Sequence, residues 1–269
     1  MASVRRELRD LGIPPLKRFG QHFLLSQEAR DRLIEEAELS REDTVVEVGA
    51  GLGFLTSALA SRSSNVIAIE KDKTLSKYLE DKFSTNPNIQ VIEGDALTVQ
   101  IPPNSKIISS PPYNISSKLV LRILRSKFKL ASLLLQEDFV KRLTAPSGSR
   151  DYGRLTVMVQ TRARAKYVSR VPKSVFYPQP KVDSAITTIW PTSGPTPRDD
   201  RIFEELVRAM FTQRRRKARG VLSRYLQTSY RDQKELILAS TNLEDKRVYE
   251  LTPTDFVKLS NLISYSIRR

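Results

Sequence analysis

Short apolar runs and helical spacings alternate along the first half of the chain. Residues 44–48 (TVVEV) and 65–72 (NVIAIEKD) begin with the β-branched runs typical of buried strands, and helical spacing follows each of them. The same alternation recurs around residues 89–97, 106–110 and 130–136. Strands that alternate with helices in this way form a parallel sheet covered on both faces. The pattern therefore predicts an α/β, doubly wound fold.

The pattern changes beyond Thr144. Residues 154–171 alternate at period two and residues 181–191 form another apolar run, which predicts antiparallel strands at the end of the sheet. The stretch PTSGPTPRDD predicts a linker, and the spacing from Arg201 onward is helical. We therefore predict a mostly parallel seven-stranded sheet in residues 1–192 and a small all-helical domain in residues 193–269.

Composition narrows the possible functions. The 269 residues include no cysteine and one histidine, which excludes disulfides and cysteine nucleophiles and argues against a metal site. The formal net charge of +15 indicates a polyanionic partner, most often a nucleic acid. No apolar run is long enough to cross a bilayer, and the N-terminus has no signal-peptide core. We expect a cytoplasmic protein with no membrane partner.

Glycines and carboxylates follow the first three predicted strands of the sheet. Gly49 and Gly51 lie in a tight turn after residues 44–48, where a ligand can approach the backbone. Glu70 ends the second strand, at the position that accepts ribose hydroxyls, and Asp95 follows the third, where it can accept an adenine amino group. Both a nicotinamide dinucleotide and S-adenosylmethionine fit this arrangement. The E-x-G-x-G-x-G spacing favours S-adenosylmethionine.

The fourth strand leads into Ser110-Pro111-Pro112-Tyr113. This stretch resembles the [Asn/Asp/Ser]-Pro-Pro-[Tyr/Phe/Trp] motif of methyltransferases that modify exocyclic amines of bases. The side chain at 110 and the carbonyl before Pro112 can accept the hydrogens of such an amine, and Tyr113 offers a face on which an extruded base stacks. The reaction needs no general base, because the ammonium product loses its proton to solvent.

Eight motifs occur in an order similar to that of the KsgA/RsmA-type ribosomal RNA small-subunit adenine dimethyltransferases, over nearly the whole chain. The short helical tail resembles archaeal members. The motifs are KRFGQHFL (17–24), VEVGAGLGFLT (46–56), IEKD (69–72), GDAL (94–97), SPPYNISSKL (110–119), DYGRLTVMVQ (151–160), VPKSVFYPQPKVDSAI (171–186) and MFTQRRRKARGVL (210–222).

This resemblance implies a Rossmann-like class I methyltransferase that uses S-adenosylmethionine to dimethylate two adjacent adenosines near the 3′ end of small-subunit rRNA. It implies an immature small ribosomal subunit as partner, and we expect a monomer. The implied donor-binding residues are His22, Leu24, Gly49, Gly51, Glu70, Lys71, Asp95, Ala96 and Ser110. The implied catalytic residues are Ser110, Pro112, Tyr113 and Phe176, with Phe176 opposite Tyr113 across the base.

A basic segment of the predicted helical domain indicates RNA binding. The residues predicted to bind phosphates are Arg214, Arg215, Arg216, Lys217 and Arg219.

Position 110 departs from the family pattern. The family usually has Asn at position 110, and a serine hydroxyl is a shorter acceptor. Two other functions therefore stay open. One is methylation of adenine in large-subunit rRNA or DNA, and the other is a non-catalytic RNA-binding assembly factor.

Overall fold

The structure is a computed structural model that describes residues 2–16, 20–243 and 245–267. Lys17, Arg18 and Phe19, the first residues of the KRFGQHFL motif, lie outside the described residues. The chain divides into two compact units. The first comprises Met1–Val140 and Ala165–Pro191, and the second comprises Lys141–Arg164 and Thr192–Arg269.

Strands and helices alternate in the first unit, as the sequence predicts, whereas helices predominate in the second unit. The strands are β1 (Phe23–Leu24), β2 (Thr44–Val48), β3 (Asn65–Glu70), β4 (Ile89–Glu93), β5 (Lys106–Ser109), β6 (Leu130–Gln136), β7 (Ala163–Val171), β8 (Phe176–Tyr177) and β9 (Ser184–Pro191). The helices are α1 (Ala2–Asp10), α2 (Gln27–Glu35), α3 (Phe54–Ala60), α4 (Lys73–Lys82), α5 (Ser116–Arg125), α6 (Glu137–Thr144), α7 (Arg154–Gln160), α8 (Asp200–Phe211), α9 (Ala218–Ser229), α10 (Lys234–Ala239) and α11 (Pro253–Ile267).

The main sheet has seven strands in the order β4-β3-β2-β5-β6-β9-β7. Strands β4, β3, β2, β5 and β6 run parallel to one another, and β9 pairs antiparallel with β6. Val45, Val46 and Val48 of β2 are at most 1% exposed, because a parallel sheet of this kind is buried on both faces. The predicted Rossmann-like, mostly parallel sheet is confirmed. Its parallel strands end at one edge, which is where ligands bind in such folds.

The sequence prediction for residues 154–171 is wrong in its first half. Residues 154–160 form the helix α7, and only Ala163–Val171 forms a strand. The backbone N–H of Gly153 donates to the Thr156 hydroxyl at 3.0 Å, which stabilises the first turn of α7. Thr156 and the three residues after it are all buried, so a helix enclosed on several sides produces an apolar run that period two cannot distinguish from a strand.

The second unit is helical, and its core is aromatic. The Tyr152 hydroxyl donates to the Leu251 carbonyl at 2.7 Å, and the rings of Phe211 and Phe256 stack with centroids 5.5 Å apart. Segment 141–164, which the sequence pattern placed with the sheet, therefore packs among the C-terminal helices. The C-terminal part of this unit begins at Thr192, beside the boundary predicted between residues 192 and 193.

Two further observations concern the described residues alone. None of the helices in residues 2–16, 20–243 and 245–267 is both long and apolar enough to cross a membrane. Within the same residues, no group of three or more His, Asp or Glu side chains could hold a metal ion.

Candidate active site

A cavity of about 350 Å³ lies at the carboxyl ends of β2, β3, β4 and β5 in the first unit. It brings together all of the residues predicted to bind a donor, and three of the four predicted catalytic residues. The predicted residues that line it are His22, Leu24, Gly49, Gly51, Glu70, Lys71, Asp95, Ala96, Ser110, Pro112 and Tyr113. Their proximity agrees with the sequence analysis, while their individual roles stay predictions.

The turn after β2 requires glycine at two positions that face the cavity. Gly49 and Gly51 have φ values of 74° and 58°, a left-handed conformation that disfavours other residues. A Cβ at Gly49 would lie 3.2 Å from Pro112 Cδ, and one at Gly51 would lie 3.1 Å from the Phe23 ring. The glycines therefore let β1 and the Pro112 segment close around the turn.

Glu70 fixes the geometry of the same turn from the end of β3. One carboxylate oxygen accepts from the backbone N–H of Gly51 at 2.9 Å, and the other accepts from that of Asp72 at 2.9 Å. Burial raises the pKa of Glu70, and these hydrogen bonds oppose the effect. The side chain is therefore held rigidly at the position predicted to receive a ribose.

Lys71 and Asp95 form an ion pair at the next strand end, with Nζ 2.8 Å from the carboxylate. The hydrogen bond from Lys71 is the main cause that lowers the pKa of Asp95, and the Leu97 backbone N–H donates to its other oxygen at 2.9 Å. Asp95 is thus a charged, oriented acceptor at the edge of the cavity.

Glu47 is a lining residue that the sequence analysis did not single out. It ends β2 beside the glycine turn, is 2% exposed, and accepts from the Thr56 hydroxyl at 2.6 Å. Burial raises the pKa of Glu47 to about 8, and the nearby Glu70 carboxylate adds to the effect. Its position as the first residue of the E-x-G-x-G-x-G pattern was the available signal. A carboxyl group that titrates near neutral pH therefore borders the cavity.

The Pro-Pro segment emerges from β5 at the opposite wall. Ser109 donates to the Val48 carbonyl at 2.6 Å, which fixes the end of β5 against β2. The hydroxyl of Ser110 has no hydrogen-bond partner among the described residues, so it is available to a ligand. Residues 113–115 form a single 3-10 turn, and Ser116 is the first residue of α5.

Tyr113 is held by two contacts from distant parts of the first unit. Its hydroxyl lies 2.5 Å from Ser184 Oγ, and its ring stacks on the His22 imidazole at a centroid distance of 5.4 Å. His22 Nδ1 lies 2.6 Å from the Pro178 carbonyl, which only accepts, so Nδ1 carries the proton. Burial raises the pKa of Tyr113, which keeps the phenol neutral.

Phe176 lies elsewhere. It is 2% exposed, pairs with Leu24 between β1 and β8, and packs in the apolar core without lining the cavity. Its predicted stacking role stays a prediction. The aromatic residues that do line the cavity beside Tyr113 are Phe23 and Phe54.

The predicted RNA-binding segment follows α8 and continues into the first turn of α9 in the second unit. Arg214 donates to the carbonyls of Ser149 and Arg150, Arg219 donates to that of Leu238, and Lys217 pairs with Asp245 at 2.9 Å. Arg215 and Arg216 are exposed. The segment therefore mixes residues that tie the helices together with residues whose charge faces solvent.

The strand order, and the cavity at the strand ends with its glycine turn and Pro-Pro-Tyr wall, place the chain among the Rossmann-like methyltransferases. Residues 16–264 match the family model described as "Ribosomal RNA adenine dimethylase". The chain belongs to the ribosomal RNA adenine dimethylase family. This result confirms the resemblance found in the sequence motifs.

Relatives in archaea are similar over nearly the whole chain. A probable ribosomal RNA small subunit methyltransferase A from Methanosarcina mazei is 42% identical over 248 residues, covering 91% of this chain and 92% of the relative. One of the same description from Pyrococcus abyssi is 40% identical over 265 residues, covering 95% and 94%.

Two solved structures share the fold. A dimethyladenosine transferase from Plasmodium falciparum has a TM-score of 0.79 and 26% identity, covering 91% of this chain and 98% of that one. The 23S rRNA methyltransferase ErmE has a TM-score of 0.69 and 30% identity, covering 90% and 99%. The chain is therefore similar to enzymes named for both ribosomal subunits.

Proposed function

We propose that the protein uses S-adenosylmethionine to convert two adjacent adenosines near the 3′ end of small-subunit rRNA to N6,N6-dimethyladenosine, as a step in small-subunit assembly. The observation that carries this proposal is a single cavity that joins the predicted donor site to the Ser110–Tyr113 wall. The family, and the small-subunit names of its archaeal relatives, support the choice of RNA.

The residues around the cavity fit an adenosine-bearing donor. A Cβ at Gly49 or Gly51 would crowd the cavity wall, Glu70 offers carboxylate oxygens where a ribose is expected, and Asp95 offers an acceptor for an adenine amino group. The remaining lining is largely apolar, as an adenine ring requires. S-adenosylmethionine, when bound, supplies an electrophilic methyl group on a positively charged sulfur.

The Pro-Pro-Tyr wall suits a base amine as the methyl acceptor. The lone pair of adenine N6 is delocalised into the ring, so a site must orient the amine. The partner-free Ser110 hydroxyl and the carbonyl before Pro112 can accept its two hydrogens, and Tyr113 presents an oriented aromatic ring for stacking. The methylated nitrogen loses its proton to solvent, so no residue is needed as a base.

The basic surface supports a nucleic-acid substrate. The net charge is +15, and Arg215 and Arg216 expose guanidinium groups in the second unit. Such groups bind phosphates and contribute affinity that salt weakens. The proposal includes a monomer that acts in the cytoplasm on immature small subunits.

Incubation with tritiated S-adenosylmethionine tests this function. Under-methylated small subunits, large subunits and adenine-containing DNA are offered separately, and label is counted in each nucleic acid. Label in small-subunit RNA supports the proposal. Label confined to large-subunit RNA, towards which the similarity to ErmE points, or to DNA contradicts the substrate. RNA binding without label contradicts catalysis.

A further inference from the structure

A second concave surface lies beside the candidate active site in the first unit, and none of the roles assigned above uses it. It is bounded by the loop after β4 and by one face of α5. We name it the α5 groove, and its lining residues are Leu97, Thr98, Gln100, Ile101, Lys118, Leu121, Arg122, Arg125 and Ser126. Three of these residues are cationic and none is acidic, so the groove is a concentrated positive surface.

The cations share one face of α5 because they are four and three residues apart. Lys118 and Arg125 are exposed, while the opposite face of α5 is buried. At 1.5 Å per residue, the distance along the helix from Lys118 to Arg125 is about 10 Å. Stacked nucleotides place about three phosphates of one strand over that length, at 3.4 Å each.

Arg122 connects the two sides of the groove. Its guanidinium donates to the Val99 carbonyl at 2.6 Å and so ties α5 to the loop after β4. Its Nε is buried and has no hydrogen-bond partner among the described residues. The positive charge of Arg122 therefore stays fixed in the wall of the groove, between Lys118 and Arg125.

The groove continues from the candidate active site along both of its walls. Asp95 and Ala96 line the cavity, and Leu97 and Thr98, which follow directly, line the groove. Residues 110–115 line the cavity, and α5 begins at the next residue. Lys118 is close enough to Asp95 to lower the pKa of its carboxyl, which agrees with this continuity. A strand whose base enters the cavity thus has a positive path away from it.

We propose that the α5 groove binds the phosphates of the RNA strand that flanks the target adenosines, and so serves as a second RNA-binding surface on the methyltransferase unit itself. This inference rests on the proposed function, because it takes rRNA as the substrate. Phosphate contacts of this kind position the strand and carry no sequence choice.

The test compares two double variants of the whole protein with equal loss of charge. Lys118→Gln with Arg125→Gln removes the exposed cations of the groove and keeps Arg122. Arg62→Gln with Lys77→Gln is the control, because both residues are exposed and line neither the groove nor the cavity. Binding of protein-free small-subunit RNA is measured at several salt concentrations, together with donor affinity and kcat at saturating RNA.

We expect the groove variant to bind RNA about tenfold more weakly than wild type at 0.15 M salt. The slope of log Kd against log salt should fall by about 0.7 for each of the two phosphates released. Donor affinity and kcat should stay within twofold of wild type, and the control should keep both the RNA affinity and the slope.

Equal RNA binding by the groove variant and the control would overturn the inference. A loss seen only with protein-containing small subunits, and not with naked RNA, would also overturn it and would assign the groove to a ribosomal protein. Failure of the proposed function is distinguishable, because wild type would then transfer no label to small-subunit RNA whatever the groove variant does to binding.

Discussion

The imidazole of His22 stacks on the phenol ring of Tyr113, with ring centroids 5.4 Å apart and planes inclined by 28°. The same phenol is hydrogen-bonded to Ser184, and the imidazole to the Pro178 carbonyl. One face of Tyr113 is therefore covered by a residue that was expected to contact the donor. His22 consequently links the donor side of the cavity to the side where a base would stack.

The orientation of Tyr113 gives a first prediction. Tyr113→Ala should lower kcat by about ten- to a hundredfold, since base–aromatic stacking contributes about 1–3 kcal/mol. Donor Kd, measured by calorimetry, should change less than threefold. Tyr113→Phe is the matched control, because it keeps the ring and removes only the bond to Ser184, and its kcat should fall only a few-fold.

Glu70→Ala provides the contrasting variant. It removes the acceptor of two backbone N–H groups beside the donor site and should weaken donor binding at least tenfold. Its kcat at saturating donor should change less than that of Tyr113→Ala. An equal loss of donor affinity in both variants would refute the separate roles of the two walls.

Mutation of Ser110 tests whether its hydroxyl binds the target amine. Its hydroxyl is proposed to accept an amine hydrogen, and loss of one aligned hydrogen-bonding group in an active site costs about 3 kcal/mol. Ser110→Ala should therefore lower kcat by about a hundredfold in the tritium-transfer assay with unchanged donor Kd. Ser110→Asn restores the acceptor usual in the family and should retain activity. Wild-type turnover by Ser110→Ala would show that the hydroxyl does not hold the amine.

The raised pKa of Glu47 predicts how the free energy of unfolding depends on pH. Burial raises the pKa of Glu47 from 4.5 to about 8, so the folded state binds the proton more tightly than the unfolded state. The stabilisation is complete below pH 4.5 and is lost as pH rises to 8, by up to about 5 kcal/mol.

Glu47→Gln keeps an acceptor for Thr56 and cannot ionise. The free energy of unfolding, from urea titrations at several pH values, should therefore fall between pH 5 and 8 in wild type relative to Glu47→Gln. Parallel pH curves for the two proteins would contradict the assignment. Donor affinity should rise over the same range in wild type alone, because an ionised Glu47 attracts a cationic donor.

Asp43 forms ion pairs with two lysines of very different exposure. The two pairs should therefore contribute differently to the free energy of unfolding. Lys106, 6% exposed at its side chain, lies 2.8 Å from the Asp43 carboxylate, and Lys129, 58% exposed, lies 3.0 Å from it. Lys106→Met should lower the free energy of unfolding by about 3–5 kcal/mol, because it leaves a buried charge without its main partner. Lys129→Met should cost less than about 1 kcal/mol. Similar losses in both variants would contradict this difference.

The low pKa of Asp43 also predicts how the free energy of unfolding changes at acid pH. Burial alone would raise the pKa of Asp43, but the hydrogen bonds from Lys106, Ser40 and Lys129 outweigh it and hold that pKa well below its usual range. The stability from this ionised group is present above about pH 4 and should be lost as pH falls below it.

Much of the fold was predictable from local sequence signals. Val45, Val46 and Val48 are buried because β2 is central in the sheet, and buried parallel strands read as uninterrupted apolar runs. The prediction was wrong for residues 154–160, where the helix α7 is buried on several sides. Periodicity cannot separate a fully buried helix from a strand over so short a span.

The sequence predicted that most of the candidate site residues lie close together, but it did not predict their geometry. Each motif follows a strand, and parallel strands end at one edge, so the motifs meet in one cavity. Tyr113 is oriented by Ser184, and His22 by Pro178 across more than 150 residues, so sequence spacing carries no sign of either contact. The raised pKa of Glu47 depends on its complete burial, which also follows only from the packed fold.

The central claim is dimethylation of two adjacent adenosines in small-subunit rRNA. The most direct test incubates the protein with S-adenosylmethionine and under-methylated small subunits, digests the RNA, and counts modified nucleosides by mass spectrometry. Two N6,N6-dimethyladenosines per RNA are expected, which reverse-transcription stops should place next to each other near the 3′ end. Tyr113→Ala should strongly reduce their amount. Absence of dimethyladenosine with wild-type protein, or its presence only in large-subunit RNA, would contradict the claim.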